Sequence, residues 1–154
     1  SSEVVGLAQR DTRPEWQNAR KVFDKAMSSL DMGQVKVRNA LSDFELYSDM
    51  MLERILYNLA ENSLRHGERV TSITASEVES DNGLTIVYED DGIGIPDNEK
   101  EIIFERGYGK HTGYGLYIAR EILEITNIAI RERGTFGKGA RFEMLVPKTG
   151  YRRL

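Results

Sequence analysis

Asn82-Gly83 stands between two β-rich runs, residues 70–78 and 84–90, and no other dipeptide narrows the fold as much. Both residues tolerate positive φ, so the pair predicts a tight hairpin and hence an antiparallel sheet. A two-stranded ribbon is marginal in water and must be completed by further strands and by helices that cover one face. The chain has 154 residues, 40% of them apolar, which suits one core and is tight for two.

The remaining segments supply the cover. Thr12 to Glu15 has capping-box spacing with Pro14 in the first turn. Trp16, Ala19, Phe23, Ala26 or Met27, and Leu30 then recur at helical spacing, predicting a helix that Gly33 stops. Short alternating runs around Val35 and Val37, and around Phe44 and Leu46, read as strands. Asp49 is placed to cap a long helix running to about His66, with Gly67 as its terminator. A third helix is expected over about 115–126, burying Leu116, Ala119, Ile122 and Leu123. Residues 128–133 and 140–146 then form a last strand pair around a turn holding Gly134, Gly137 and Gly139. The expected architecture is α+β: a two-layer sandwich with a mixed, mostly antiparallel sheet covered on one face by about three helices.

Charge and composition exclude several functions. Twenty-one basic residues against 25 acidic give a net charge of −4, which argues against nucleic acid and against direct contact with anionic membrane. No apolar run reaches the roughly 18 to 20 residues of a spanning helix. Zero cysteines remove disulfides, thiolate zinc sites and cysteine nucleophiles, and are compatible with a cytoplasmic location. Chemistry must come from carboxylates, amides, glycine backbone, basic side chains and the two histidines, His66 and His111.

Three segments carry candidate chemistry. On the helix 49–66, Leu52, Ile55, Leu56, Leu59 and Ser63 form the core stripe, with Asn58 and Asn62 stacked at its edge and Arg65 and His66 one turn on. Amides at a core border need partners, which suits a polar ligand lying along the helix, or else a solvated edge. Asp90-Asp91-Gly92-Ile93-Gly94-Ile95-Pro96 follows a strand, so a carboxylate meets backbone that turns sharply and approaches a flat ligand closely. Gly107-Tyr108-Gly109-Lys110-His111-Thr112-Gly113-Tyr114-Gly115 opens into a helix, where free N–H groups and the helix dipole favour phosphate. A P-loop is excluded, because Phe104 and His111 stand where it requires glycine and Ser or Thr.

In this order and separation the segments resemble the ATP-binding catalytic domain of sensor histidine kinases, in the superfamily shared with gyrase, Hsp90 and MutL. Asn58-Leu59-Ala60-Glu61-Asn62-Ser63-Leu64-Arg65-His66-Gly67 matches that family's asparagine box, and 90–96 its first glycine box. Ile103-Phe104-Glu105-Arg106 matches the phenylalanine box, and Gly113-Tyr114-Gly115-Leu116-Tyr117-Ile118 the second glycine box. Gly137-Lys138-Gly139-Ala140-Arg141-Phe142 resembles the closing glycine turn. The resemblance covers roughly residues 14–147.

It implies that 14–154 is a domain binding ATP and Mg²⁺, with 1–13 the tail of a linker from an upstream helical dimerisation and phosphoacceptor domain. Asp90 would accept from the adenine amino group, with Gly92 and Gly94 letting the loop approach the base. Asn62 would hold the metal with Asn58 in support, and Lys110 would reach the γ-phosphate; these three are the catalytic candidates. Arg65 would lie near the phosphates and His66 near the ribose or adenine edge. The nucleotide-binding set further takes in Ile95, Phe104, Tyr108, Gly109, His111, Thr112, Gly113, Tyr114, Gly115 and Leu116. The γ-phosphate would pass to a histidine on the separate helical domain, and from there to a response regulator receiver domain.

Asn58 separates this chain from the hydrolases, which carry a water-activating glutamate there; an amide is no general base. Three departures stand out. The family usually has alanine at Ser63, often glycine at Tyr117, and a hydroxyl on the closing turn where Ala140 and Arg141 have none. The short lid, 104–113, points to modest nucleotide affinity. Two other functions fit the same boxes: an anti-sigma-type serine kinase, and a non-catalytic nucleotide-gated interaction module.

Overall fold

The computed structural model describes residues 13–108 and 115–154. A five-stranded sheet has the order β2 (Lys36–Asn39), β4 (Ser72–Ser80), β5 (Gly83–Asp90), β7 (Arg141–Pro147), β6 (Ala129–Glu132). Only the β2–β4 pairing is parallel within it. A smaller antiparallel sheet joins β1 (Glu15–Asn18), β3 (Phe44–Ser48) and β8 (Tyr151–Arg153) in the order β1-β3-β8. Three helices complete the described fold: α1 (Ala19–Ser28), α2 (Leu52–His66) and α3 (Gly115–Glu124). α2 lies between α1 and α3, in contact with both.

The core is the interface between this helical layer and one face of the large sheet. Ile73 and Ala75 of β4, Leu84, Ile86 and Tyr88 of β5, and Phe142, Met144 and Val146 of β7 alternate onto the covered face, as strand periodicity requires. They meet Leu52, Ile55, Leu56, Leu59 and Ala60 of α2, and Ala119, Ile122 and Leu123 of α3. The five-residue stripe expected on α2 is buried throughout. Leu116, expected in the core, is instead half-buried at the edge of a cleft.

The first predicted helix begins later than its spacing suggests. Residues 15–18 pair with β3, Trp16 opposite Tyr47, and the Asn18 side chain rather than Thr12 caps α1 by accepting from the Lys21 N–H at 3.0 Å. Trp16 finds a better partner across the strand than along a helix: its ring lies 5.2 Å from that of Tyr47, with the Arg152 guanidinium 4.2 Å above it. Residues 1–12 of the expected linker lie outside the described residues. β8 had no sequence signal, since Tyr151-Arg152-Arg153 is short and has one apolar member. It forms because Arg152 reaches Glu45 at 2.6 Å and Arg153 reaches Glu77 and Glu79 at 2.6 and 2.7 Å.

The hairpin forms where expected, but Ser80 pairs with Gly83, so Asp81 and Asn82 are the loop residues and Gly83 belongs to the strand. Glycine is needed there for space: a Cβ would sit 2.1 Å from the Val146 carbonyl oxygen. Asp49 does not cap α2: the N-cap position is Met51, with no side-chain cap bond, and the Asp49 carboxylate instead accepts from the Met51 N–H at 2.8 Å in the turn that leads into the helix.

Candidate functional site

A cleft of about 590 Å³ opens where the C-terminal end of α2, the end of β5 and the start of α3 converge. That volume is ordinary for a small-molecule site. Asn62, Ser63 and His66 form the α2 wall, Asp90 and residues 93–96 the opposite wall, and Leu116 and Tyr117 the α3 side. Phe136, Ala140 and Phe142 close it from the turn before β7 and from β7 itself.

Asp90 is the most tightly oriented group in the cleft. One carboxylate oxygen accepts from the backbone N–H of Gly92 at 2.9 Å and of Ala140 at 3.0 Å. The other accepts from the Ser63 hydroxyl at 2.6 Å, and Ser63 is 2.7 Å from the Tyr88 hydroxyl. A carboxylate offers about four acceptor positions, so three protein donors leave one for a ligand. The hydroxyl that the resemblance expects from the closing turn is therefore supplied by the helix, and Ala140 contributes its main-chain N–H instead. Neither partner was legible in the sequence, because Ser63 falls on the apolar stripe and an alanine has no polar side chain to notice.

The neighbouring Asp91 points elsewhere. It accepts from the Thr71 hydroxyl and, at 2.7 and 3.0 Å, from the N–H groups of Thr71 and Ser72. Partial burial works against its charge, but these donors outweigh it and hold the carboxyl at about 2. Its folded value lies below the ordinary one near 4, so the stability it contributes is present above about pH 4 and lost as pH falls towards 2. Acid titration of melting temperature is expected to show a steeper decline between about pH 4 and 2 for the parent chain than for Asp91→Asn. Parallel curves would remove Asp91 from that role.

Gly92 does not line the cleft. A Cβ there would meet the Gly67 carbonyl oxygen at 2.5 Å and the Val70 side chain at 2.8 Å. Gly67 is equally confined, with Val70 at 2.2 Å from its ideal Cβ and an ordinary helical φ of −75°. The two glycines let the end of α2 and the turn after β5 touch, joined by the Ile93 N–H donating to Gly67 at 3.1 Å. The helix terminator is thus a close-approach residue rather than a left-handed cap, and Glu68 takes the positive φ of 59° instead.

The structure brings Asn62, His66, Asp90, Gly94, Ile95, Tyr108 and Leu116 of the expected set to one cleft. Asn58, Arg65, Gly92, Phe104 and Gly115 are not among the described residues lining it. Arg65 lies 4.0 Å from Glu61 one turn back along α2. Phe104 is buried behind the wall, its ring edge-on to Phe142 at 6.2 Å. Gly109, Lys110, His111, Thr112, Gly113 and Tyr114 lie outside the described residues.

Tyr117, Phe136 and Phe142 were not expected in the lining; apolar positions at strand or helix spacing give no signal that they face a ligand rather than the core. Tyr108 donates to Glu99 at 2.6 Å, and that bond to a carboxylate, helped by partial burial, pushes its phenol up to about 12. Lys100 holds the buried Glu132 and also donates to the Gly134 carbonyl at 2.9 Å. The second Glu132 oxygen accepts from the N–H groups of Gly134 and Arg141 at 3.0 and 2.9 Å. This pair ties the segment after the first glycine box to the closing turn, and so holds Ala140 against Asp90.

The chain matches, over residues 48–150, the family described as histidine kinase-, DNA gyrase B-, and HSP90-like ATPase. It is 36% identical over 104 residues to the alginate biosynthesis sensor protein KinB of Pseudomonas aeruginosa, covering 64% of this chain and 17% of KinB. The fold is similar to that of the mycobacterial sensor histidine kinase MprB, with a TM-score of 0.75 at 18% identity over 92% of this chain and 99% of that one. It is also similar to full-length ShkA in complex with AMPPNP, with a TM-score of 0.75 at 20% identity over 87% of this chain and 31% of ShkA. The chain spans less than a fifth of the length of KinB.

Proposed function

The chain belongs to the histidine kinase-, DNA gyrase B- and HSP90-like ATPase family, and from that premise we propose that it binds Mg-ATP and presents the γ-phosphate to a histidine on a separate helical dimerisation domain. The observation that carries the proposal is the oriented Asp90 carboxylate, with one acceptor position left, in a cleft that also holds Asn62 and His66. A 6-amino purine supplies the donor that position wants. The likeness to ShkA, whose structure is a complex with AMPPNP, supports a nucleotide as the ligand class.

Among the described residues no three His, Cys, Asp or Glu side chains gather to hold a metal. A magnesium ion here would draw on the Asn62 amide oxygen and the phosphates, hard oxygen donors of the kind it takes. When bound, it would neutralise phosphate charge. Asp90 would orient the base, and of the α2 positions next to the metal-binding amide neither is placed to activate water: Asn58 is an amide, and Glu61 lies beside Arg65. Phosphoryl transfer needs mainly positioning and charge neutralisation, so such a site holds ATP for an acceptor rather than for water.

We place this domain on the cytoplasmic side of its parent protein, with a response regulator receiver domain as the next phosphate acceptor. No helix of the described residues is long and apolar enough to cross a membrane. The isolated 154 residues are expected to bind Mg-ATP without acquiring label from γ-³²P-ATP. Label is expected on a histidine-bearing helical domain from the parent chain, as an acid-labile product. Self-labelling, or an acid-stable phosphoester, would contradict the reading.

A further inference from the structure

The Tyr88–Ser63–Asp90 chain has a determined direction. Asp90 already accepts two backbone N–H groups on one oxygen, and as a carboxylate it can only accept from Ser63 on the other. Ser63 has a single proton and uses it on Asp90, so the Tyr88 hydroxyl must donate to Ser63. Tyr88 is 1% exposed and Ser63 4%, so neither bond competes with bulk water. Burial also pushes the Tyr88 phenol well above its ordinary range, keeping it a donor at any physiological pH.

We propose that Ser63 is a positioning residue that fixes Asp90 as an acceptor-only group and thereby sets the preference of the cleft for a 6-amino over a 6-oxo purine. The inference rests on the nucleotide reading above and names what makes it selective. With three donors in place, Asp90 presents one remaining lone pair, which a 6-amino group satisfies and a 6-oxo group opposes. Without the Ser63 hydroxyl, the carboxylate gains a second vacant position and rotational freedom. A water can then bridge it to a 6-oxo purine, while the 6-amino purine is held less firmly.

The test is calorimetric titration of the 154-residue chain with Mg-ATP and Mg-ITP, which differ at the purine 6-position. Ser63→Ala is expected to lower the ATP-to-ITP affinity ratio on the order of tenfold, as loss of a hydrogen bond to a charged group should. Ser63→Cys keeps nearly the same volume while donating weakly, so it is expected to fall the same way and carries the test should the alanine not fold. Tyr88→Phe leaves the Ser63 proton on Asp90 and is expected to keep the ratio within about twofold, since it removes only the outer bond.

An unchanged ratio in folded Ser63→Ala or Ser63→Cys would overturn the proposal, as would a fall in Tyr88→Phe equal to that of the serine variants. Failure of the nucleotide reading looks different: the parent chain would bind neither nucleotide, or Asp90→Asn would bind ATP as the parent does.

Discussion

Asp90→Asn is expected to weaken Mg-ATP binding at least about 100-fold while leaving the melting temperature within a few degrees of the parent. The amide oxygen can still accept the N–H groups of Gly92 and Ala140, which hold the turn in place. The amide nitrogen then replaces the oxygen that faces Ser63 and the cleft; the Ser63 hydroxyl can turn its proton to Tyr88 and accept from that nitrogen, but an incoming amino group meets a donor. A buried mismatch of that kind leaves polar groups unpaired and discriminates far more strongly than a lost methylene. By the same reasoning the parent chain should prefer ATP to GTP, whose 6-carbonyl sets two acceptors face to face. Calorimetry of parent and variant with both nucleotides, beside thermal melts, reads both effects. Equal ATP and GTP affinities, or a variant that binds normally, would take adenine recognition away from Asp90.

Lys100→Met is expected to destabilise the fold by about 3 kcal/mol or more, because it leaves the Glu132 carboxylate buried without its cation. Glu132 is 3% exposed, and its remaining partners are two backbone N–H groups. At this chain length that change corresponds to roughly 6 to 12 °C in melting temperature. Lys100→Met combined with Glu132→Gln should recover part of the loss, since the uncompensated charge is gone while an amide oxygen still accepts from the turn. ATP affinity should fall in the single variant too, because the same pair holds the turn that brings Ala140 to Asp90. Urea denaturation of the two variants against the parent measures the effect. A single variant as stable as the parent would show that the pair contributes nothing net.

The residues that identify the cleft were legible one by one because each lies in a locally recognisable setting. Asn62 and His66 share a helix edge, Asp90 ends a strand, and Gly94 follows it. Their convergence follows from a helix packed on a sheet, which the periodicities of 52–66 and 83–90 already imply. Asn58 and Arg65 were read from the same helix, yet the cleft wall takes only Asn62, Ser63 and His66 from its last turns. Asn58 stops one turn short of the cleft, which a helical wheel cannot show, and Arg65, although between Ser63 and His66, lies beside Glu61 instead. The apparent helix start at Thr12 failed for a related reason: spacing measures compatibility, and Trp16 is compatible with both a helix and the strand that pairs it to Tyr47.

By itself the sequence determined the hairpin and the buried stripe of the central helix, properties of residues within a few positions of each other, and, from the succession of such segments along the chain, the α+β class and the order of the boxes. The tertiary structure alone decided which groups hold Asp90, where the closing turn is anchored, and that Tyr151-Arg152-Arg153 becomes a strand. Ser63 and Ala140 reach Asp90 from 27 and 50 positions away, and Lys100 reaches Glu132 across 32. Such contacts depend on strand register and on how closely Gly67 and Gly92 allow two segments to meet, and neither is a property of any short stretch of chain.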